Sequence, residues 1–253
     1  MTVPPDRDGR VSLWPRLFPL GSDGLLVSFA DRLSEPANRA ALAFRAAVDR
    51  AGLSGVAETA TSLASTYLRL DQAQADRAAL IADIEALLAS RDWFRAALPD
   101  NRRLWRIPCL FGTPRAPQLA EAAAAAGLSP EKAVQSIAQT RLRVQTIGFA
   151  PGQPYLGELA PDWDIPRQTQ LTDRVPVGAL CVAIRQLVLF SVPTPTGWRH
   201  IGQTAFRAFR PDAADPFPLR PGDEVVFEPV SAEDYSALEA AGPDGGARSV
   251  LLP

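Results

Sequence analysis

Histidine is almost absent from this sequence, which has one, His200, in 253 residues. A single imidazole excludes a metal site built from several histidines, and we predict that this chain holds no metal. Any Ser-His or Cys-His mechanism would have to depend on His200 alone. Because an unperturbed imidazole titrates near neutral pH, His200 is a candidate general base.

Cysteine is also scarce. Cys109 and Cys181 are far apart in the sequence, form no paired motif and lie in apolar runs. That usage is typical of reduced, buried cysteines in a cytosolic protein. The first ten residues are polar and charged and contain no apolar segment of the kind found in a signal peptide. We therefore predict a cytoplasmic protein.

Neither sign of charge is in excess, since 26 Lys and Arg residues are balanced by 28 Asp and Glu residues, for a net charge of -2. Such a chain has no general attraction for a phosphate backbone, and we predict no nucleic-acid partner. No apolar run is long enough to span a membrane, so we predict no membrane partner. The apolar fraction of 47% and the length suit one large or two small globular domains.

The first hundred residues alternate between strand and helix patterns. Ser34 and Pro36 mark a helix start and Gly52 its end, and a second helix is predicted over residues 75–89. The predicted strands are residues 16–20, 25–29, 56–60 and 65–70. The order strand, strand, helix, strand, strand, helix predicts an α+β sandwich over residues 12–100, preceded by a frayed tail. Trp93 and Phe94 are assigned to its end and to the linker.

The second half begins with an apolar strand at 104–110 and two helices, at 117–126 and from Ser129 onward. After Arg143 helical patterns stop. Short apolar runs then alternate with Gly, Pro and Asp turns through Pro229, which is typical of an all-β barrel or sandwich. We predict a β-barrel with two helices over residues 104–253, and an α+β fold for the whole chain.

The most distinctive stretch is 148–159, GFAPGQPYLGEL, with three glycines and two prolines in twelve residues. Glycine permits positive φ or close approach of a ligand, and proline fixes φ and removes a donor. Together they favour one rigid, non-repetitive loop over a helix or a central strand. Rigid surface loops often carry function. The alternative is a corner of the β-barrel, where these residues only turn the chain.

The same stretch resembles the GFxPGFPYLGGL signature of the family of 5-oxoprolinase B subunits, also called KipI-like or allophanate hydrolase subunit 1. The resemblance continues in order through Val175-Pro-Val-Gly178, Pro195-Thr-Gly-Trp198, Ile201-Gly-Gln-Thr204 and Pro221-Gly-Asp223. In the first half, residues 21–29 resemble GDxALLVEFG. The chain is therefore identified as a divergent member of that family over nearly its whole length.

This resemblance implies an N-terminal α/β sandwich domain followed by a cyclophilin-like β-barrel. It also implies a partner of the C-subunit or KipA-like type, and an A-type subunit. In the 5-oxoprolinase complex these proteins open the lactam of 5-oxoproline at the expense of ATP. The chain would then be a subunit of an ATP-dependent amide- or lactam-processing hydrolase that acts only with its partner. The alternative is a non-catalytic KipI-like protein that regulates a histidine kinase or scaffolds a partner subunit.

Several positions depart from the family pattern. The arginine of the family's IGRT is Gln203, a family histidine aligns with Ile137, and a second arginine aligns near Thr172. Losing Arg and His removes charge-assisted donors from a site that handles phosphate or carboxylate. We therefore expect a more neutral pocket, whose small polar amide or acid ligand is held by amide hydrogen bonds rather than by an arginine fork.

The residues predicted to bind substrate come from the signature and from the strands after it. We expect loop backbone and barrel side chains to line one concave site, formed by Gly148, Phe149, Pro151, Gly152, Tyr155, Arg167, Gln186, Trp198 and Gln203. The alternatives are a core role for Trp198, a bond to its own loop for Tyr155 and a surface ion pair for Arg167. No catalytic residue is assigned.

Two further polar residues are expected to play lesser roles. His200 occupies a variable position of the family motif, which favours a surface place or a supporting role over catalysis. Asp223 lies in a Pro-Gly-Asp sequence and is expected to serve turn formation.

Overall fold

A computed structural model describes residues 14–252 of the chain. The frayed tail predicted before residue 12 lies outside the described residues. The chain divides into two compact units, with the boundary between Pro99 and Asp100. In the described part of the chain, no helix combines the length and the apolar character needed to cross a membrane.

The first unit combines a four-stranded antiparallel sheet with two helices. Its elements are β1 (Arg16–Leu20), β2 (Gly24–Ser28), α1 (Glu35–Ala51), β3 (Val56–Thr61), β4 (Ser65–Leu70) and α2 (Arg77–Ala89). The strands pair in the order β1–β2–β4–β3. The succession of elements is the one that the sequence predicts.

Local bonds and aromatic packing explain why this unit forms as it does. The Ser34 hydroxyl accepts a hydrogen bond from the Ala37 N–H at 3.3 Å and so begins α1. Phe44 on α1 is fully buried, and its ring meets that of Trp93 edge-on at 5.1 Å. Trp93 thus belongs to the end of this unit and not to a linker, because its indole is buried in the core and donates to the Leu88 carbonyl at 2.9 Å.

The second unit begins with β5 (Arg103–Phe111), α3 (Leu119–Ala125) and α4 (Pro130–Gln139). Strands follow: β6 (Leu142–Ile147), β7 (Pro154–Gly157), β8 (Thr172–Val175), β9 (Ala179–Ala183), β10 (Gln186–Leu189), β11 (Thr194–Thr196), β12 (Arg199–Gln203) and β13 (Glu224–Pro229). The chain continues with α5 (Ala232–Ala240) and β14 (Arg248–Leu251).

Seven of these strands close a barrel in the order β5–β12–β9–β10–β7–β6–β13 and back to β5. The β13–β5 pair is parallel, and the other pairs in the barrel are antiparallel. β14 and β12 pair with the same edge of β5, β14 near the start of that strand and β12 near its end. β8 pairs with β11 in a separate two-stranded ribbon. The predicted α+β class, with a β-barrel in the second half, is confirmed.

Two sequence predictions for this unit are wrong. The barrel unit has a third helix, α5, whose first turn is capped by the Ser231 hydroxyl accepting from the Asp234 N–H at 3.1 Å. The stretch 148–159 is not a single loop, because Pro154–Gly157 is a strand paired on both sides, with β6 and β10. Residues 148–153 connect β6 to β7 and turn the chain, which agrees with the alternative prediction of a barrel corner.

Asp223 does more than form its turn. Its carboxylate accepts hydrogen bonds from the Arg220 N–H at 3.0 Å, the Arg103 N–H at 2.8 Å and the Trp105 indole at 3.3 Å. It thereby ties the start of β13 to the start of β5. Burial raises the pKa of this carboxyl, although the three hydrogen bonds oppose the shift.

The two faces of β9 belong to different layers. Leu180 and Val182 point into the main core, which also holds α3 and α4 residues. Cys181 and its neighbours of the same parity point the other way and pack with Trp198. We call this second side of β9 and β12 the outer face, and it carries the candidate site.

Candidate functional site

A β-bulge in β12 turns two polar side chains to the same side of the barrel. His200 pairs with Cys181, whereas Gly202 pairs with the very next residue of β9, so Ile201 is the extra residue. In a regular strand, positions 200 and 203 would point to opposite faces. The extra residue of the bulge shifts the alternation by one position, so His200 and Gln203 both lie on the outer face.

These two side chains lie at the floor of a cavity of about 760 Å³. His200, Gln203 and Tyr235 are its buried lining residues, with 4%, 4% and 2% of their surfaces exposed. The rest of the lining is exposed or half-exposed and includes three arginines. The volume is within the usual range for a small-molecule site.

The polar side chains at the floor are tied to the surrounding backbone or shielded from solvent. The Gln203 amide nitrogen donates to the Val177 carbonyl at 2.8 Å and to the Thr204 carbonyl at 3.1 Å. The Gln203 Oε1 and the His200 Nε2 are buried, and neither forms a hydrogen bond. The Gln203 side chain lies close enough to His200 and Tyr235 to affect the pKa of both groups.

Burial lowers the pKa of His200, against the opposing effects of the Gly202 carbonyl and the Gln203 side chain. The imidazole is therefore neutral at pH 7. His200 is buried, so of the two expected roles the surface place is wrong and the supporting role stays a prediction.

The titration of His200 tests this environment directly, because no other histidine of the chain contributes imidazole signals. We expect the midpoint, followed by NMR, to fall below the reference value of 6.5. The pKa of His200 is lower in the folded than in the unfolded state, so protonation favours the unfolded chain. The contribution of His200 to the free energy of unfolding is therefore complete above pH 6.5 and decreases as the pH falls toward the folded pKa. A midpoint at or above 6.5 would contradict the buried, neutral imidazole.

Arginines supply positive charge around the cavity. Arg115 is held by Glu239 at 3.1 Å and lies over the Tyr235 ring at 5.1 Å. Burial and the nearby Glu239 carboxylate raise the pKa of Tyr235, so its hydroxyl stays protonated. Arg174 and Arg207 are exposed and pair with no carboxylate among the described residues. They are therefore available to an anionic ligand.

The cavity around Gln203 contains arginines, and the expectation that it is more neutral than in relatives stays a prediction. Thr172, near which a family arginine aligns, lines the cavity, and so does Arg174 two residues later. Arg174 therefore places a cation in the cavity close to Thr172. Ile137, which replaces the family histidine, is fully buried in the main core and takes no part in the cavity.

Three of the predicted binding residues form a separate group on the outer face. The Tyr155 and Trp198 rings meet edge-on at 6.1 Å, and the Arg167 guanidinium lies 5.2 Å from the centre of the Trp198 ring. Trp198 is buried and packs with the outer-face residues of β9. The structure thus brings Tyr155, Arg167 and Trp198 together, but they do not line the cavity that contains Gln203.

The remaining predicted residues lie elsewhere. Gln186 is buried and donates to the Gln145 side chain at 2.7 Å. Four of the predicted residues belong to the turn between β6 and β7, namely Gly148, Phe149, Pro151 and Gly152. Phe149 in this turn has 78% of its surface exposed. The cavity that contains Gln203 is therefore not lined by this turn or by Trp198. A role for these residues in substrate binding stays a prediction.

Comparisons with known proteins agree with this architecture. A family model described as the carboxyltransferase domain, subdomain C and D, matches residues 15–219. The chain belongs to this carboxyltransferase subdomain C and D family.

It is similar to the 5-oxoprolinase B subunit of Bacillus subtilis, with 28% identity over 230 residues, 87% of this chain and 95% of that one. It is also similar to the 5-oxoprolinase B subunit of Escherichia coli O157:H7, with 34% identity over 148 residues, 58% and 68% of the two chains. The resemblance seen in the sequence is confirmed.

Solved structures extend the comparison. The crystal structure of TTHA0988 matches with a TM-score of 0.70 and 31% identity, over 83% of this chain. This chain spans 40% of the length of TTHA0988. The Kluyveromyces lactis urea carboxylase matches with a TM-score of 0.69 over 93% of this chain and 24% of its own. At 14% identity, that likeness shows a shared fold only.

Proposed function

We propose that the chain is the B subunit of a 5-oxoprolinase-type complex and that the outer-face cavity binds the small acid on which the complex acts. One observation supports this assignment above the others: the buried side chains of His200, Gln203 and Tyr235 line one cavity together with three exposed arginines. The names of the curated relatives make 5-oxoproline the first substrate to test.

The chemistry of a lactam explains why such a site would need positive charge. Resonance stabilises the amide, so its opening by water requires coupling to ATP hydrolysis and places negative charge on oxygen. Preorganised donors and cations stabilise that charge in the transition state. Arg174 and Arg207 have the charge and exposure that a carboxylate or a phosphate group requires.

A C-type or KipA-like partner, and an A-type subunit, would supply the remainder of the catalytic centre and the coupling to ATP. The lining of this cavity contains no nucleophile activated by His200, and its floor is suited to binding rather than to bond cleavage. The isolated chain should therefore bind substrate without turning it over.

Reconstitution tests the proposal. The chain is co-expressed with the subunits encoded beside it, and ATP hydrolysis that depends on 5-oxoproline is measured for the purified complex and for the chain alone. We expect turnover by the complex only. Robust turnover by the chain alone would refute the requirement for a partner, and a purified complex without 5-oxoproline-dependent hydrolysis would refute the proposed function.

A further inference from the structure

The three arginines that line the cavity are not equivalent. Arg174 and Arg207 pair with no carboxylate among the described residues. Arg115, in contrast, is paired at 3.1 Å with Glu239, which lines the same cavity. The chain therefore supplies an anion of its own beside one of the three cations.

Glu239 and Arg115 come from segments that are 124 residues apart in the sequence. Arg115 lies in the turn between β5 and α3, where its N–H donates to the Thr113 hydroxyl at 3.2 Å. Glu239 lies in the last turn of α5, which packs against β5. The pair thus forms only because the fold brings α5 to the side of the cavity on which Arg115 lies.

Tyr235 supports both members of the pair. The Arg115 guanidinium lies over its ring at 5.1 Å, and its hydroxyl donates to Glu239 Oε1 at 3.4 Å, the same oxygen that accepts from Arg115. Tyr235 is buried, whereas the Arg115 and Glu239 side chains remain 52% and 44% exposed. A ligand in the cavity can therefore reach both charged groups.

We propose that Glu239 is a built-in competitor for Arg115 and makes the cavity selective for acids that carry a single carboxylate. Glu239 neutralises Arg115, which leaves Arg174 and Arg207 to bind the carboxylate of the ligand. The inference rests on the proposed function and assigns Glu239 and Arg115 as the residues that determine which acids are accepted. A diacid would have to displace the Glu239 carboxylate from Arg115 and would also be repelled by it.

The effect of Glu239 on binding should exceed its effect on folding. An exposed ion pair contributes little to stability, so the chain should stay folded when Glu239 is changed. A second carboxylate near Arg115 would, however, meet both a cation that is already paired and a like charge at short range, where Coulomb interactions are strong. Glu239→Gln keeps the shape of the side chain, removes its charge and frees Arg115.

Calorimetric titration of the full chain tests the inference with two matched probes. Pentanoate and pentanedioate have the same five-carbon chain and differ by one terminal carboxylate. We expect Glu239→Gln to raise the affinity for pentanedioate relative to pentanoate about tenfold above the wild-type ratio, the order expected for one hydrogen-bonded contact with a charged group. An unchanged ratio, or no binding of pentanedioate by the variant, overturns the proposal.

A double variant shows whether Arg115 is the residue responsible. Adding Arg115→Gln to Glu239→Gln should abolish the gain, because the two residues act as a coupled pair. Glu58→Gln is the matched control, since Glu58 is exposed and pairs with Arg69 at 3.0 Å in the first unit. The control should keep the wild-type ratio. A gain that survives in the double variant would place the second carboxylate elsewhere and overturn the assignment.

The outcome can be separated from that of the proposed function, because the titration uses neither 5-oxoproline nor ATP. A gain that depends on Arg115, in a chain whose complex shows no 5-oxoproline-dependent ATP hydrolysis, would keep the selectivity and refute the function. Turnover of 5-oxoproline by a complex of this chain, together with an unchanged ratio in Glu239→Gln, would keep the function and refute the selectivity.

Discussion

Replacing Gly178 with alanine should destabilise the barrel unit by about 4 kcal/mol, the sum of a left-handed backbone strain and a steric overlap with a backbone that cannot move aside. Gly178 has φ +81°, and an added Cβ would collide with the Thr204 carbonyl. The residue also ties together the ends of β9, β10 and β12, since its N–H donates to the Phe190 carbonyl at 2.8 Å and its own carbonyl accepts from the Thr204 N–H at 2.8 Å.

The same substitution should also disturb the cavity, because the new Cβ would lie 2.9 Å from the Gln203 amide nitrogen. Urea unfolding of the full chain measures the stability, and calorimetry with 5-oxoproline measures the binding. Gly127→Ala is the control, since Gly127 has φ +69° but no heavy atom within 4 Å of an added Cβ. It should cost only about 1 kcal/mol. Equal losses in the two variants would mean that backbone strain alone matters and that Gly178 is not tightly enclosed.

The elements predicted most accurately are those whose ends are set by neighbouring residues. α1 and α4 begin at Ser34 and Ser129, each followed by a proline in the first turn, and both caps form in the structure. A cap is a bond between residues three apart, so a short window of sequence contains all the information needed to recognise it.

α5 has the same kind of start signal, although the sequence analysis predicts no helix there. Ser231 is its cap, and Glu233 and Asp234 provide the acidic first turn that favours a helix N-terminus. The strand pattern that runs through Pro229 favours continued β-structure and conceals this start signal. The omission hid part of the candidate site, because Tyr235 and Glu239 on α5 both line the cavity.

The grouping of the site residues could not be predicted from local sequence. His200 and Gln203 share a face only because β12 bulges against β9, and a bulge depends on the pairing of strands that are distant in sequence. The side of β7 on which Tyr155 lies likewise follows from barrel closure. Family motifs identified the correct strands, but they did not indicate that the signature turn and Gln203 lie in different places.

Removing the exposed charges of the cavity should have the largest effect on the proposed reaction. We expect Arg174→Gln or Arg207→Gln to lower kcat/KM for 5-oxoproline in the reconstituted complex by about tenfold, and the double variant by about a hundredfold, from the usual strength of hydrogen bonds to charged groups. The loss should appear mainly in KM, since a carboxylate is bound in the ground state as well as in the transition state.

The dependence on salt separates a charge effect from a loss of structure. Arg174 and Arg207 are exposed, so their attraction for an anion is screened as the salt concentration rises, and the wild-type complex should lose activity in salt while the double variant changes little. Arg248→Gln is the control, because Arg248 is exposed, pairs with Glu228 at 2.9 Å and lies outside the cavity. It should keep both the wild-type KM and the wild-type response to salt. A double variant with an unchanged KM would show that the substrate's carboxylate is bound elsewhere, and the acid-binding role of this cavity would then be wrong.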